Sequence, residues 1–171
     1  MKEILKTERL ILREMKQSDF ADICEILQDR KTMYAYEHEF SDEEAQDWLN
    51  KQLDRYKNDG FGLWAVILKS SGEFVGQCGI TWQDIGGENV PEIGYLFKRK
   101  HWHNGYAAEA AIGCKNYAFN SLGLDKMYSI IRDNNYASQR VAGRNGMTVV
   151  KTFVKHYYGI DMPHLVYCVE K

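Results

Sequence analysis

With 171 residues, 27% of them charged, and a formal net charge of −2, the chain suits one domain over residues 1–171 with a substantial core. Its Lys and Arg are scattered among acids, which excludes the strongly basic surface that a nucleic-acid partner requires. The start Met1 to Lys6 lacks the apolar core of a signal peptide, no later run reaches membrane-spanning length, and Cys24, Cys78, Cys114 and Cys168 show no C-x-x-C spacing; the expectation is a cytoplasmic protein with reduced thiols and a small partner.

Glu8 to Glu14 alternates charged and apolar residues, which predicts a strand with Leu10 and Leu12 on one face and Ile11 on the other. Ser18 or Asp19 can cap the next helix, whose apolar stripe is Phe20, Ile23, Ile26 and Leu27. Asp29 to Phe40, containing Tyr34, Tyr36, Glu37 and His38, is a polar and aromatic connector. Ser41-Asp42-Glu43-Glu44 has the form of a capping box, and the helix after it should bury Ala45, Trp48, Leu49, Leu53 and Tyr56 before ending at Asn58-Asp59-Gly60. Leu63 to Leu68 and Phe74 to Trp82 are strands around the turn Ser70 to Glu73, and Ile85 to Asn89 is a further turn before the strand Glu92 to Phe97.

Asn104-Gly105 precedes an Ala-rich helix that buries Ala107, Ala111, Cys114 and Ala118 and stops at Gly123. Lys126 to Ile131 is the next strand, and the strand, helix, strand order favours parallel pairing with the Glu92 strand. Asn134 or Asn135 caps a helix from Tyr136 to Arg144. Thr148 to His156 and Leu165 to Val169 are closing strands divided by Tyr157 to His164. The fold class is α+β with a mixed central sheet.

The junction at Gly105 carries the chemistry. A helix start presents backbone N–H groups without intrahelical partners and the positive end of the helix dipole, which together hold anions. Gly105 lets the main chain approach a bulky phosphate, and the small Ala107 and Ala108 leave the helix mouth open, so a pyrophosphate fits. The N–H groups of His103, Asn104, Gly105, Tyr106 and Ala107 would meet it.

Trp102-His103-Asn104-Gly105-Tyr106-Ala107-Ala108-Glu109-Ala110 resembles the acetyl-CoA pyrophosphate loop of the GNAT superfamily of N-acetyltransferases, in the W-G-x-G-Y-A-x-E-A form of the ribosomal-protein N-terminal (alanine) acetyltransferase-like subgroup. His103 stands where that subgroup usually has glycine. Asp133 to Val141, followed by Asn145-Gly146-Met147, resembles the superfamily's N-x-x-S-x-R-V element, and Thr7 to Arg13 is similar to the opening strand of the subgroup, so the resemblance spans nearly the whole chain. It implies a mostly antiparallel GNAT-like sheet flanked by helices, acetyl-CoA as cosubstrate, and an amine acceptor bordered by the Asp29 to Phe40 connector.

The same resemblance assigns site residues. Glu92, on a strand that splays from its neighbour in the resembled fold, is the candidate base, with a strand-edge ion pair or a solvated carboxylate as the alternative. Ser138 is aligned near the cofactor sulfur and could hydrogen-bond the departing thiolate, or could support a helix cap. Tyr157 and Tyr158 are weaker candidates for the acid. Asn135 would contact the pantetheine arm, N-cap a helix, or do both through different atoms. Leu96 and Phe97 would offer main-chain pairing to that arm, and Lys98, Arg99 and Arg140 could meet phosphates or remain solvated. His101-x-His103 lacks a third ligand, so no metal is expected. Trp102 is read as a hydrophobic anchor for the turn.

Amine acetylation by a thioester needs positioning, removal of a proton and stabilisation of the thiolate, not a nucleophilic residue. An α-amine, with a reference pKa of about 7.7–8.0 against about 10.4 for lysine, is the easier acceptor. Protein or peptide N-termini, small amines and antibiotics all remain open as acceptors. The rival class is a non-catalytic acyl-CoA-binding regulatory or interaction module, which would keep Gly105 and Asn135 but leave Glu92 exposed and away from the acceptor. A nucleotide hydrolase would need a G-x-x-x-x-G-K-[ST] sequence, which is missing. Sheet edges and the late aromatic loop could support a homodimer.

Overall fold

A computed structural model describes residues 2–36, 38–157 and 159–171, with Tyr157 described by its backbone alone. Eight strands form a sheet in the order β1-β2-β3-β4-β5-β6-β8-β7. In chain order the elements are β1 (Glu3–Lys6), β2 (Leu10–Arg13), α1 (Phe20–Leu27), α2 (Asp42–Asn58), β3 (Leu63–Leu68), β4 (Phe74–Ile85) and β5 (Glu88–Phe97). Then follow α3 (Tyr106–Asn120), β6 (Lys126–Arg132), α4 (Tyr136–Arg144), β7 (Thr148–Tyr157) and β8 (Ile160–Glu170). Neighbouring strands are antiparallel except β5 and β6, which run parallel and pair at Glu92 and Tyr128.

The near-continuous apolar run of β3 reflects burial on both faces of the sheet. Trp64 and Val66 point into one core with Leu10, Leu12, Ile93 and the α3 residues Ala110, Ala111 and Cys114. Leu63 and Ala65 point into the other, against Ile23, Ile26 and Leu27 of α1 and Ala45 and Leu49 of α2. The capping box forms: Ser41 accepts the Glu44 N–H, and the Glu44 carboxylate accepts the Ser41 N–H, each at 3.1 Å.

Several boundaries differ from the sequence expectation. The β4–β5 hairpin closes on Gly86-Gly87, both at positive φ, so β4 runs on to Ile85 and β5 begins at Glu88. The β8 strand begins at Ile160, not Leu165, because Pro163 lies just beyond the last β6 pair, Arg132 with His164, where a missing N–H costs no bond to β6. Helix α3 ends at Asn120, three residues before Gly123. The short β1 is an addition to the sequence expectation; it pairs with β2 and supports α3, since a Cβ at Gly113 would lie 3.1 Å from Leu5. Asp19 precedes α1 but makes no cap bond to it. Its carboxylate instead takes both forks of the buried Arg13 guanidinium, at 2.8 and 2.9 Å. Among the described residues no helix is long and apolar enough to cross a membrane.

Candidate active site

Gly105 takes a left-handed conformation at φ 79°, and α3 starts at the next residue. Glu109 N–H is the first to bond back into the helix, to Gly105 O at 3.1 Å. The N–H groups from His103 to Ala108 therefore donate to no acceptor among the described residues. His103, at φ 65°, is the one non-glycine residue with positive φ among them. The chain thus keeps the backbone shape for which glycine is the usual choice, at a strain cost of about 1–2 kcal/mol.

A clamp holds this loop. Glu109 accepts from the Thr7 hydroxyl at 2.6 Å, the Arg9 N–H at 2.8 Å and Arg9 Nε at 2.7 Å. Arg9 Nη1 donates to Asn104 O at 2.9 Å, and its guanidinium lies 4.6 Å from the centre of the Tyr106 ring. Burial alone would raise the Glu109 carboxyl; the Thr7 and Arg9 donors hold it below its ordinary value. Trp102 is half-exposed and anchors through a hydrogen bond, its Nε1 donating to Phe97 O at 3.0 Å.

The basic turn before the loop is committed elsewhere. Lys98, 4% exposed, has its ammonium on Asp22 and Glu25 of α1 and over the Phe74 ring. Arg99 pairs with Asp29 at 3.2 Å, Lys100 with Glu73 at 2.9 Å, and His101 Nε2 lies 3.0 Å from Glu73. Lys98 is therefore corrected from phosphate partner to a tie between β5 and α1; acids on α1 face the turn and neutralise it. Arg140 is exposed on α4 and enters no ion pair among the described residues.

Past Glu92, β5 and β6 part, and a cavity of about 320 Å³ opens beside them. Glu92, Tyr95, Leu96, Asn135 and Ser138 line it together. On the β4 side Leu96 is opposite Gln77 and Phe97 opposite Gly76; no strand among the described residues pairs with their other edge. The Phe97 side chain is buried in the core. Glu92 is half-buried, and Oε2 accepts the Ile130 N–H at 2.6 Å. Burial pushes its carboxyl up to about 7, against the opposing effects of that N–H, Lys155 and Arg55.

At the start of α4, Asn135 Oδ1 accepts the Ser138 N–H at 3.2 Å, which makes Asn135 the cap and leaves its Nδ2 donor pointing elsewhere. Ser138 supports that cap through its N–H, and its hydroxyl has no protein partner among the described residues. Tyr95 OH donates to Ser138 O at 2.9 Å and fixes α4 against β5, a role the sequence did not signal. Tyr36, from the connector expected to border the acceptor, lines the opposite wall, whereas sequence reasoning missed Trp48, Lys51, Gln52, Arg55 and Lys155, which line it too. The rings of Tyr36 and Trp48 meet edge-on at 5.9 Å, and burial, with the Glu92 charge, pushes the Tyr36 hydroxyl up to about 12. The i, i+3, i+4, i+7 spacing of Trp48, Lys51, Gln52 and Arg55 was a usable signal for one helix face. Glu37, Tyr158 and the side chain of Tyr157 lie outside the described residues.

The fold agrees with comparisons to known proteins. A family profile described as an acetyltransferase (GNAT) domain matches residues 9–148. Uncharacterized protein YkkB of Bacillus subtilis (strain 168) is 41% identical over 152 residues, covering 88% of each chain. Uncharacterized N-acetyltransferase YnaD of the same organism is 31% identical over 144 residues, covering 84% of this chain and 81% of that one. The crystal structure of a GNAT-family acetyltransferase from Bacillus anthracis superposes with a TM-score of 0.82, at 27% identity over 98% of both chains. The chain belongs to the GNAT acetyltransferase family, whose members use acetyl-CoA.

Proposed function

We propose that this protein is an N-acetyltransferase that passes the acetyl group of acetyl-CoA directly to a primary amine, at a protein or peptide N-terminus or on a small molecule. The observation that carries the reading is Glu92: a carboxylate with a pKa of about 7, at the parting of β5 and β6, inside the cavity that Asn135 and Ser138 also line. The non-catalytic alternative requires Glu92 exposed and remote; its half-buried place in the cavity supports the catalytic reading instead.

The donor set fits the cosubstrate. The open N–H groups from His103 to Ala107 suit its diphosphate, with Arg140 as the side-chain cation in place of Lys98. The unpaired edge of Leu96 and Phe97 and the amide of Asn135 suit its pantetheine arm. Acetyl-CoA supplies the thioester; the N–C bond forms as the C–S bond breaks. Glu92 takes the proton lost by the amine, directly or through water, and the Ser138 hydroxyl donates a hydrogen bond to the leaving sulfur. None of Cys24, Cys78, Cys114 and Cys168 lines the cavity, and burial raises Cys78, so transfer proceeds without an acyl-cysteine. We place the protein in the cytoplasm, on these four free thiols. Val149, Val150, Val154 and Ile160, exposed on the outer β7–β8 hairpin, support a homodimer through that edge.

The test is mass spectrometry of amine libraries and cell extracts incubated with the protein and labelled acetyl-CoA. Labelled products that vanish with Glu92→Gln are expected. CoA binding without transfer to any amine would establish the binding-module alternative.

A further inference from the structure

The wall of the cavity around Glu92 carries an unbalanced charge. Lys51 and Arg55 reach it from α2, Lys155 from β7 and Arg132 from the end of β6, while Glu92 is the one carboxylate lining it among the described residues. A chain with net charge −2 thus concentrates cations at this place. Lys51 and Lys155 make no ion pair among the described residues, and Arg55 donates to Gln52 at 3.2 Å. The acids nearest this part of α2, Asp47, Asp54 and Asp59, border a separate outer groove shared with Lys51 and Arg55.

The cations act on one another and on the candidate base. Burial lowers Lys51, and Arg55 and Lys155 lower it further. Arg55 and Lys155 both pull on the Glu92 carboxyl. They are therefore grouped at the proton-transfer end, whereas the phosphate-holding N–H groups of residues 103–108 do not line this cavity. Cofactor phosphates do not account for them.

Resting on the acetyltransferase reading, we propose that the acceptor is an acidic amine, a primary amine whose body carries a carboxylate that sits among Lys51, Arg55 and Lys155 while the nitrogen faces Glu92. The carboxylate relieves repulsion among the three cations. The same positive surroundings favour the neutral, nucleophilic amine over its ammonium form. An acceptor with a second ammonium meets repulsion instead.

The experiment compares the C-terminal amides of Ala-Glu, Ala-Gln and Ala-Lys, in which only the side chain differs in charge, and free glutamate against its diamide, with labelled acetyl-CoA. In at least one series kcat/KM should favour the acidic member by about ten-fold, with the gap narrowing as salt is raised. A preference confined to the dipeptides identifies a peptide N-terminus; one confined to glutamate identifies a free acid. Lys155→Gln should shrink the gap and Lys155→Glu should turn it towards Ala-Lys. Equal rates within both series, or a preference for Ala-Lys in the parent protein, overturns the acidic acceptor and leaves the acetyltransferase standing. CoA binding with no transfer to these or to the amine library overturns both.

Discussion

Glu92 Oε2 accepts the Ile130 N–H at 2.6 Å, so the carboxylate facing the cavity also ties β5 to β6 beside their paired position. Two consequences follow for pH. In the proposed role of base Glu92 works ionised, and kcat/KM should rise with pH through about 7. Glu92→Gln should remove that limb and lower kcat by about 10²–10⁴-fold while CoA affinity holds. A flat pH profile in the parent protein would take Glu92 out of the role.

The stability effect has the opposite sense to the rate. The folded-state pKa is raised, so the folded protein binds the Glu92 proton more tightly than the unfolded chain. Glu92 therefore costs stability as pH climbs from the ordinary carboxylate range past about 7. Glu92→Gln, which keeps an acceptor for Ile130, should be more stable than the parent at alkaline pH by roughly 1–2 kcal/mol, the half-exposed site being partly screened. Urea unfolding across pH measures it.

The cradle gives a paired test. A Cβ at Gly105 would sit at φ 79° and 3.4 Å from the Arg9 guanidinium, so Gly105→Val should weaken CoA binding by about ten-fold or more by strain and by displacing the clamp. His103→Gly should keep CoA affinity and change stability by less than about 1 kcal/mol, relief of strain being offset by glycine's entropy. His103→Val should lose about 1–2 kcal/mol. Calorimetry with CoA and denaturant melts read both.

Local patterns made most of this fold legible before any coordinates. Alternation found β2 and β5, the turn Ser70 to Glu73 marked β3 and β4, the Ser41 capping box found α2, and the glycine junction found α3. What stayed hidden depends on partners distant in sequence. Asp19 reads as a cap until Arg13 takes both its oxygens. Lys98 reads as a phosphate ligand until α1 brings Asp22 and Glu25 to it. Gln52 sits in the middle of a polar α2 sequence yet is fully buried, because its side-chain oxygen accepts the Leu63 N–H at 3.0 Å. The cationic wall is assembled from α2, β6 and β7, which no local window joins.

The Lys98 reassignment separates two kinds of cation. Lys98→Met keeps the aliphatic stem against Phe74 but removes the pairs with Asp22 and Glu25, both partly exposed. It should lower stability by about 1–2 kcal/mol and leave CoA affinity within about two-fold. Arg140→Gln should do the reverse, raising the Kd for CoA several-fold and flattening its salt dependence with little change in melting temperature. A large loss of CoA binding in Lys98→Met would restore it to the site.

The clamp behind the cradle should show itself in cofactor KM alone. The Glu109 carboxylate uses both oxygens to hold Thr7 and Arg9, and Arg9 in turn holds Asn104 O. Glu109→Gln leaves one oxygen and puts an amide donor against the Arg9 guanidinium, so it should cost about 1–2 kcal/mol of stability. The freed guanidinium no longer fixes the Asn104 carbonyl, and the N–H groups beside it lose their common aim. KM for acetyl-CoA should then rise several-fold with kcat preserved, because the clamp touches neither Glu92 nor the cavity. Arg9→Lys, which keeps the charge but cannot reach Glu109 and Asn104 with one rigid fork, should fall between parent and Glu109→Gln. An unchanged KM in both variants, with the stability loss present, would make the clamp a packing device with no hold on the cofactor.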